Sequence, residues 1–453
     1  MNRHYHLIGI GGIGMSGIAQ LLLRQGIKVS GSDLKESKIT EELRRLGSYV
    51  FIGHNPVNTR GADLIIYSSA IKEDNPEIIE AKKLGLPLIK RAQALADLMQ
   101  DKIVITVSGS HGKTTTTSLV SYLLLEAGLR PTIAIGGILK NIDTNAYLGD
   151  GSFFVAEADE SDGSFLYYQP KYSIITNIDY EHLDYYREFK NMIDAFGEFL
   201  SRTKKDGCVF GCDDDINIKN MLKNYKNRYI LFGLKDSADI YPSNIQIKGL
   251  SSQFDCFYKN KFIDRFNLAL GGEHNISNAL SVIALGLELE IDLEVIKKTL
   301  SNYKGTHRRL EIKFNEKSYL VLDDYAHHPT EIKATLKAIR RLNYNRAIVI
   351  FQPHRYTRTK LLLDEFGQSF DLSDCIIVTD IYPANEPPQE GINGRAICDK
   401  IKEHSPHKEI LFLPKEEIVP HILEIIEPGD LVITLGAGDI VKVCDELVEK
   451  LKR

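Results

Sequence analysis

Residues 102–118 constrain this chain more than any other stretch. They read KIVITVSGSHGKTTTTS, an apolar strand that runs into a glycine-bearing loop and then a helix over about Thr114 to Ala127. Gly-Lys-Thr at a strand–helix junction is how a chain cradles nucleotide phosphates. Backbone amides and a lysine ammonium meet the β- and γ-phosphates, and a hydroxyl ligates Mg²⁺. The expected phosphate contacts are Gly109, Ser110, His111, Gly112, Lys113, Thr114 and Thr115, with Thr114 also on the metal. The general pattern G-x-x-x-x-G-K-[ST] puts its first glycine at position 107, where this chain has Val107, so the loop is a variant.

At 453 residues the chain is long enough for roughly three domains. Its 61 acidic and 56 basic residues leave a net charge of -5, which gives no electrostatic reason to expect nucleic acid. No apolar stretch approaches the length needed to cross a bilayer, and the short, glycine-broken run after Met1 is not read as a signal peptide. The six cysteines are scattered, and only Cys208 and Cys212 lie close, with no second pair to complete a zinc site. Reduced, buried thiols and a cytoplasmic setting are expected.

Strand–helix alternation fills the first segment, with strands at Leu7–Ile10, Lys28–Ser32 and Leu64–Ser68, and implies a doubly wound parallel sheet. A second segment carries the phosphate loop, further strands at 153–156 and 173–176, and a helix over 189–202. Residues 228–270 read as short strands and turns, a β insertion or edge. A third segment alternates again, with strands near 319–322, 347–351, 375–379, 410–413 and 431–435. The expected fold is α/β in three domains: a Rossmann-like 1–99, a phosphate-loop 100–310 and a Rossmann-like 311–453.

Other motifs cluster at strand ends. Gly9-Ile10-Gly11-Gly12-Ile13-Gly14 satisfies G-x-G-x-x-G, and Asp33 follows where such folds hold a ribose hydroxyl. Taken alone, that pair suggests a nicotinamide-dependent oxidoreductase, a reading that leaves the phosphate loop unexplained. AEADESDGS (156–164) and NIDYEHLDYY (177–186) place carboxylates and His182 beyond strands beside the loop, where a metal would need them. Any one acidic turn is more often a solvated loop. Asn275 and Asn278, one turn apart at a helix start, suit a base edge or equally an N-cap. Asp324, His327 and His328 end one strand, and His354, Arg355 and Arg358 the next. Arginines there can fork onto a carboxylate or phosphate, although surface salt bridging is the commoner use. Asp439, in TLGAGD, is expected as an N-cap.

In order along nearly the whole chain, GIGGIGMSG, GSD, SSAI, GSHGKTTTTS, AEADESD, NIDYEHLD, GEHNISN, RRLE, DDYAHHP and QPHRYTRT resemble the Mur ligases of peptidoglycan synthesis. The resemblance implies ATP and Mg²⁺, with UDP-N-acetylmuramate and L-alanine as substrates, in a monomer or homodimer. It implies metal ligands at Thr114, Glu157 and His182, adenine contacts at Asn275 and Asn278, and nucleotide contacts at Arg309 and Asp324. His327, Arg355 and Arg358 would orient the amino-acid carboxylate. Gly11, Gly12, Ile13, Gly14, Ser32, Asp33, Ser68 and Ser69 would line the sugar-nucleotide site. Catalytic weight would fall on Lys113, His182, His327 and Arg355. Several relatives use a carbamylated lysine downstream of the metal histidine. Here MIDAFGEFLS (192–201) has none, which fits an alanine-adding member.

Overall fold

The computed structural model describes residues 3–384 and 386–453. Its strands form three sheets. The first is wholly parallel, in the order Tyr49–Ile52, Lys28–Asp33, His4–Ile8, Leu64–Tyr67, Leu88–Lys90. The order reverses at His4–Ile8, and the crevice beyond the carboxyl end of such a switch point is where open α/β sheets take ligands. Gly9 and the loop that follows lie at that point.

The second sheet has ten strands. Its centre is parallel: Cys208–Cys212, Tyr172–Ile175, Ile103–Ser108, Phe153–Glu157, Thr132–Leu139. Ile103–Ser108 therefore has a parallel neighbour on each side. All three carboxyl ends carry site residues: the phosphate loop, the acidic turn after Glu157, and the turn that starts at Asn177. Residues 228–270 are strands, as expected, and lie toward one edge of this sheet. They form four regular strands, Tyr229–Phe232, Ile240–Lys248, Ser251–Tyr258 and Lys261–Leu268. Ile240–Lys248 is mostly exposed beyond its first residues, so its composition is polar and reads as turn.

In the third sheet Glu311–Glu316 pairs antiparallel with Tyr319–Asp324. Asp430–Leu435, Arg346–Phe351, Cys375–Val378 and Glu409–Phe412 then follow in parallel. Val349 and Phe351 join the core on one face, and Ile348 and Ile350 the core on the other. A strand buried on both sides must be apolar at every position, which is why these runs were legible as strands.

By contact density the chain divides into two compact units. One holds the residues up to Asn244 with Phe254–Asn267 and Ile276–Lys304; the other holds Ile245–Gln253, Leu268–Asn275 and Gly305–Arg453. Among the described residues, all six cysteines are buried and free, and no helix is long and apolar enough to cross a membrane.

Candidate active site

The phosphate loop departs from the general pattern for a structural reason. Val107 is fully buried within the strand Ile103–Ser108, so the turn starts two residues later, at Gly109. Ser110 and His111 donate their amides to the Asn177 carbonyl (2.9 Å) and Oδ1 (2.8 Å), and the His111 ring meets Asp179 at 2.9 Å. Those two residues thus lash the loop to the neighbouring turn. The amides left at the start of helix Lys113–Glu126 are those of Lys113, Thr114 and Thr115, at the positive end of a 14-residue dipole. Gly112 sits at φ +83°, and a Cβ there would come within 2.8 Å of the Asn278 amide. A side chain at position 112 would therefore push Asn278 off the loop.

Lys113 Nζ donates to the carbonyls of Gly109 (2.6 Å) and Ser110 (3.1 Å) and to Glu160 Oε1 (2.7 Å). Burial works against its charge, but Glu160, Asp159 and Glu157 outweigh that and hold it above the ordinary lysine value. Thr114 Oγ1 donates to Glu157 Oε1 at 3.2 Å, and Glu157 Oε2 accepts the Gly136 amide at 3.0 Å. Burial first, and then Asp159, push the Glu157 carboxyl up. A Cβ at 136 would lie 2.7 Å from that carboxylate, so a side chain there would displace it.

His182 is placed differently from Glu157. With φ +57°, it brings Nε2 to 3.4 Å from Glu160 Oε1 and 3.7 Å from Glu181 Oε2. The ligand atoms of Glu160, Glu181 and His182 lie within 4.8 Å of one another, and Glu160 Oε2 is buried with no hydrogen-bond partner among the described residues. An orphaned carboxylate oxygen beside an imidazole and a second carboxylate fits a small hard cation. Motif reading missed Glu160 and Glu181. The available signal was the three-residue spacing from Glu157 and the acid directly before His182.

At the glycine-rich loop Asp33 faces the turn itself. Its Oδ2 accepts the Gly11 amide at 2.9 Å, so the carboxylate braces the turn. Ile13 opens the helix Ile13–Arg24, and its carbonyl accepts from Asn145 Nδ2 at 2.8 Å. Ser68 Oγ accepts the Ala70 amide, and Ser69 is exposed.

The other compact unit holds the remaining residues. Arg309 lies over the Tyr325 ring, 5.1 Å from its centroid. Asp324 accepts amides from Leu310 (2.6 Å) and Ala326 (2.7 Å). Its burial outweighs those bonds and the charge of Arg309, and lifts its pKa to about 6. A carboxyl-selective titration should therefore find Asp324 half-ionised near pH 6. Arg309→Ala should move the midpoint higher, because the attraction that favours the ionised form is gone. A midpoint near 4 in the intact chain would contradict this environment.

His327 donates its amide to Glu331 Oε2 at 3.0 Å and packs edge-on against Tyr325 and His354. His354 is stacked on Tyr382 and takes a bond from Arg358 Nη1 at 3.2 Å. Burial, followed by His327, Arg358, Arg355 and Arg308, drives its pKa down to about 2, so it stays neutral. Arg355 sits at φ +70°, a backbone strain that clusters at functional sites. Asn275 lies inside the helix Glu273–Glu288 and donates to the Gly271 carbonyl, so it is not the N-cap. Asp439 is not an N-cap either. Its carboxylate is taken by Gln352 and Lys415, both at 2.8 Å, and Ile440 precedes the last helix.

Comparison with known proteins supplies the family. Three family models match in sequence: the Mur ligase family catalytic domain over residues 4–103, the Mur ligase middle domain over 107–286, and the Mur ligase glutamate ligase domain over 308–438. A UDP-N-acetylmuramate–L-alanine ligase of Geotalea daltonii is 45% identical over 99% of this chain and 98% of its own length. The chain belongs to the Mur ligase family. A ligase of the same name from Desulforapulum autotrophicum is 46% identical over 99% of each. The solved UDP-N-acetylmuramate–alanine ligase of Thermotoga maritima superposes with a TM-score of 0.85 at 31% identity, covering 99% of both chains. For a Mur ligase the oxidoreductase reading of the glycine-rich loop falls away. The three-domain α/β fold expected above is the one found.

Proposed function

We propose that this Mur ligase joins L-alanine to the carboxylate of UDP-N-acetylmuramate, coupled to ATP cleavage, in the assembly of peptidoglycan precursors. Residues 1–99 take the sugar nucleotide, 100–310 the ATP and 311–453 the amino acid. The enzyme works in the cytoplasm, as a monomer or homodimer. The observation that carries the reading is the Lys113–Glu160 and Thr114–Glu157 set at the start of a helix, in a chain whose full-length relatives bear that ligase name.

A carboxylate is a poor electrophile, because its charge repels an amine and oxide does not leave. Moving the γ-phosphoryl group onto it gives an acyl phosphate with a competent leaving group. The protein's task is then positioning and charge neutralisation. Lys113 and the free amides of Thr114 and Thr115 hold the phosphates, with Asn275 and Asn278 at the adenine and Arg309 and Asp324 on the nucleotide. Mg²⁺, when bound, screens the crowded phosphate oxygens. Thr114, Glu157, Glu160 and His182 are the residues that fit it. Arg355 and Arg358 fork onto the alanine carboxylate, and His327 orients it. A guanidinium's planar fork suits a substrate that presents a carboxylate.

The purified chain, given ATP, Mg²⁺ and UDP-N-acetylmuramate, should release ADP when L-alanine is added and form a product heavier by one alanyl residue. Preference for another amino acid would reassign the substrate. Tight ATP binding without any product would make the chain a nucleotide switch.

A further inference from the structure

Beneath the carboxyl edge of the first sheet lies an acid with no part in the account so far. Glu77 is fully buried near the start of the helix Pro76–Lys83. Ser32 Oγ donates to its Oε2 at 2.5 Å, and Asn58 Nδ2 and the Asn55 amide donate to Oε1 at 2.6 and 3.1 Å. His6 Nε2 stands 3.4 Å from Oε2. Burial alone would raise the Glu77 pKa. The bonds from His6, Ser32 and Asn58 more than offset this and hold it below the ordinary carboxylate value. Glu77 is therefore an anion at neutral pH.

An ionised carboxylate can only accept, so the proton in the 2.5 Å bond is the Ser32 hydroxyl's. A hydroxyl has one hydrogen. With it given to Glu77, Ser32 Oγ can offer only lone pairs to its other neighbour, His54 Nδ1, at 3.0 Å. Nδ1, which also stands 3.6 Å from Glu77 Oε2, must then carry a hydrogen, and in a ring with a single hydrogen Nε2 is a bare acceptor. Among the described residues no bond to Nε2 is found, and the side chain keeps 11% of its surface in solvent. His54 follows the carboxyl end of Tyr49–Ile52, on the same edge as Ser32 and Ser68.

We propose that His54 is a specificity residue of the sugar-nucleotide site, its Nε2 accepting a hydrogen bond from the uridine, with Ser32 and Glu77 as positioning residues that fix the tautomer. The inference rests on residues 1–99 being the UDP-sugar domain. A uridine offers two donors of the right kind, the uracil imide N–H and the ribose hydroxyls. A cytosine ring carries an acceptor where uracil has its imide N–H, so a fixed acceptor on the protein would tell the two bases apart at that position.

Nitrogen-15 NMR of the histidine-labelled full chain, with His54→Ala to assign the signal, reads the tautomer directly. The Nδ1–H form is expected. Glu77→Gln should reverse it. The two donors at Oε1 orient the new amide so that its NH₂ faces Ser32, which frees the Ser32 hydrogen for Nδ1. Calorimetry with UDP, N3-methyl-UDP and 2′-deoxy-UDP, in the presence of Mg²⁺ and a non-hydrolysable ATP analogue, reads the contact. His54→Ala should weaken UDP about tenfold or more. In the wild type, the analogue that lacks the relevant donor should bind correspondingly worse, and the variant should no longer discriminate. Loss on N3-methylation points to the imide and loss on 2′-deoxygenation to the ribose.

A hydrogen on Nε2 in the wild type, as neutral tautomer or imidazolium, overturns the proposal. So does unchanged UDP affinity in His54→Ala, or a wild type that binds all three nucleotides alike. If the wild type binds no UDP at all, the assignment of residues 1–99 falls with it. If it binds UDP and the variant does so equally well, only the role of His54 falls.

Discussion

Replacing Lys113 by alanine should lower alanine-dependent ADP release by about a thousandfold, the scale seen when one preorganised electrostatic group is removed from a transition state. Lys113 is the cation whose ammonium stands at the mouth of the phosphate loop, bonded to the carbonyls of Gly109 and Ser110 and to Glu160. It stays charged despite its burial because three carboxylates surround it. The same carboxylates make its loss costly, since without it Glu157, Asp159 and Glu160 would repel both each other and the incoming phosphates. Arginine is no substitute here. Its planar fork cannot occupy the compact position between two carbonyls and a carboxylate, so Lys113→Arg should also be severely impaired. A coupled ADP assay, run beside circular dichroism to establish that the variant folds, measures this. A folded Lys113→Ala protein that keeps a tenth or more of the wild-type rate would remove Lys113 from the chemistry.

The sheet architecture was legible because strands buried on both faces must be apolar throughout. Arg346–Phe351 and Asp430–Leu435 stood out for that reason. Ile240–Lys248 did not, since only one end of it is buried. At the site, residue types that chemistry demands at strand ends were readable: Lys113, Glu157, His182, Arg355. Which group meets which was not. Asp33 has the position of a ribose ligand, and its Oδ2 also takes the Gly11 amide, a contact that no motif encodes. Ser110 and His111 read as phosphate contacts, while their amides are claimed by Asn177, 66 or more positions away in sequence. Glu160 looked like one more acid in an acidic turn. Only the fold reveals that it is fully buried against Lys113. Long-range pairing of this kind is set by topology, and a single sequence carries no local trace of it.

Glu157→Ala and His182→Ala should each raise the Mg²⁺ concentration needed for half-maximal ligation, by about tenfold for the loss of one oxygen or nitrogen ligand. Their combination is the sharper experiment. Glu157 is grouped with Thr114 and the Gly136 amide, and His182 with Glu160 and Glu181. If these are two cation positions, each single change weakens a different ion. Each ion then refills at about ten times its former Mg²⁺ concentration, so the double variant should need about tenfold more Mg²⁺, close to the single variants. If one ion is shared, both losses fall on the same affinity and multiply, to about a hundredfold. Manganese titration followed by electron paramagnetic resonance gives the same comparison without turnover: two bound ions in the wild type and one in each single variant, measured with a non-hydrolysable ATP analogue present. A Glu157→Ala or His182→Ala protein whose magnesium curve overlays the wild type would take that residue off the metal. A double variant that needs about a hundredfold more Mg²⁺ would collapse the two positions into one.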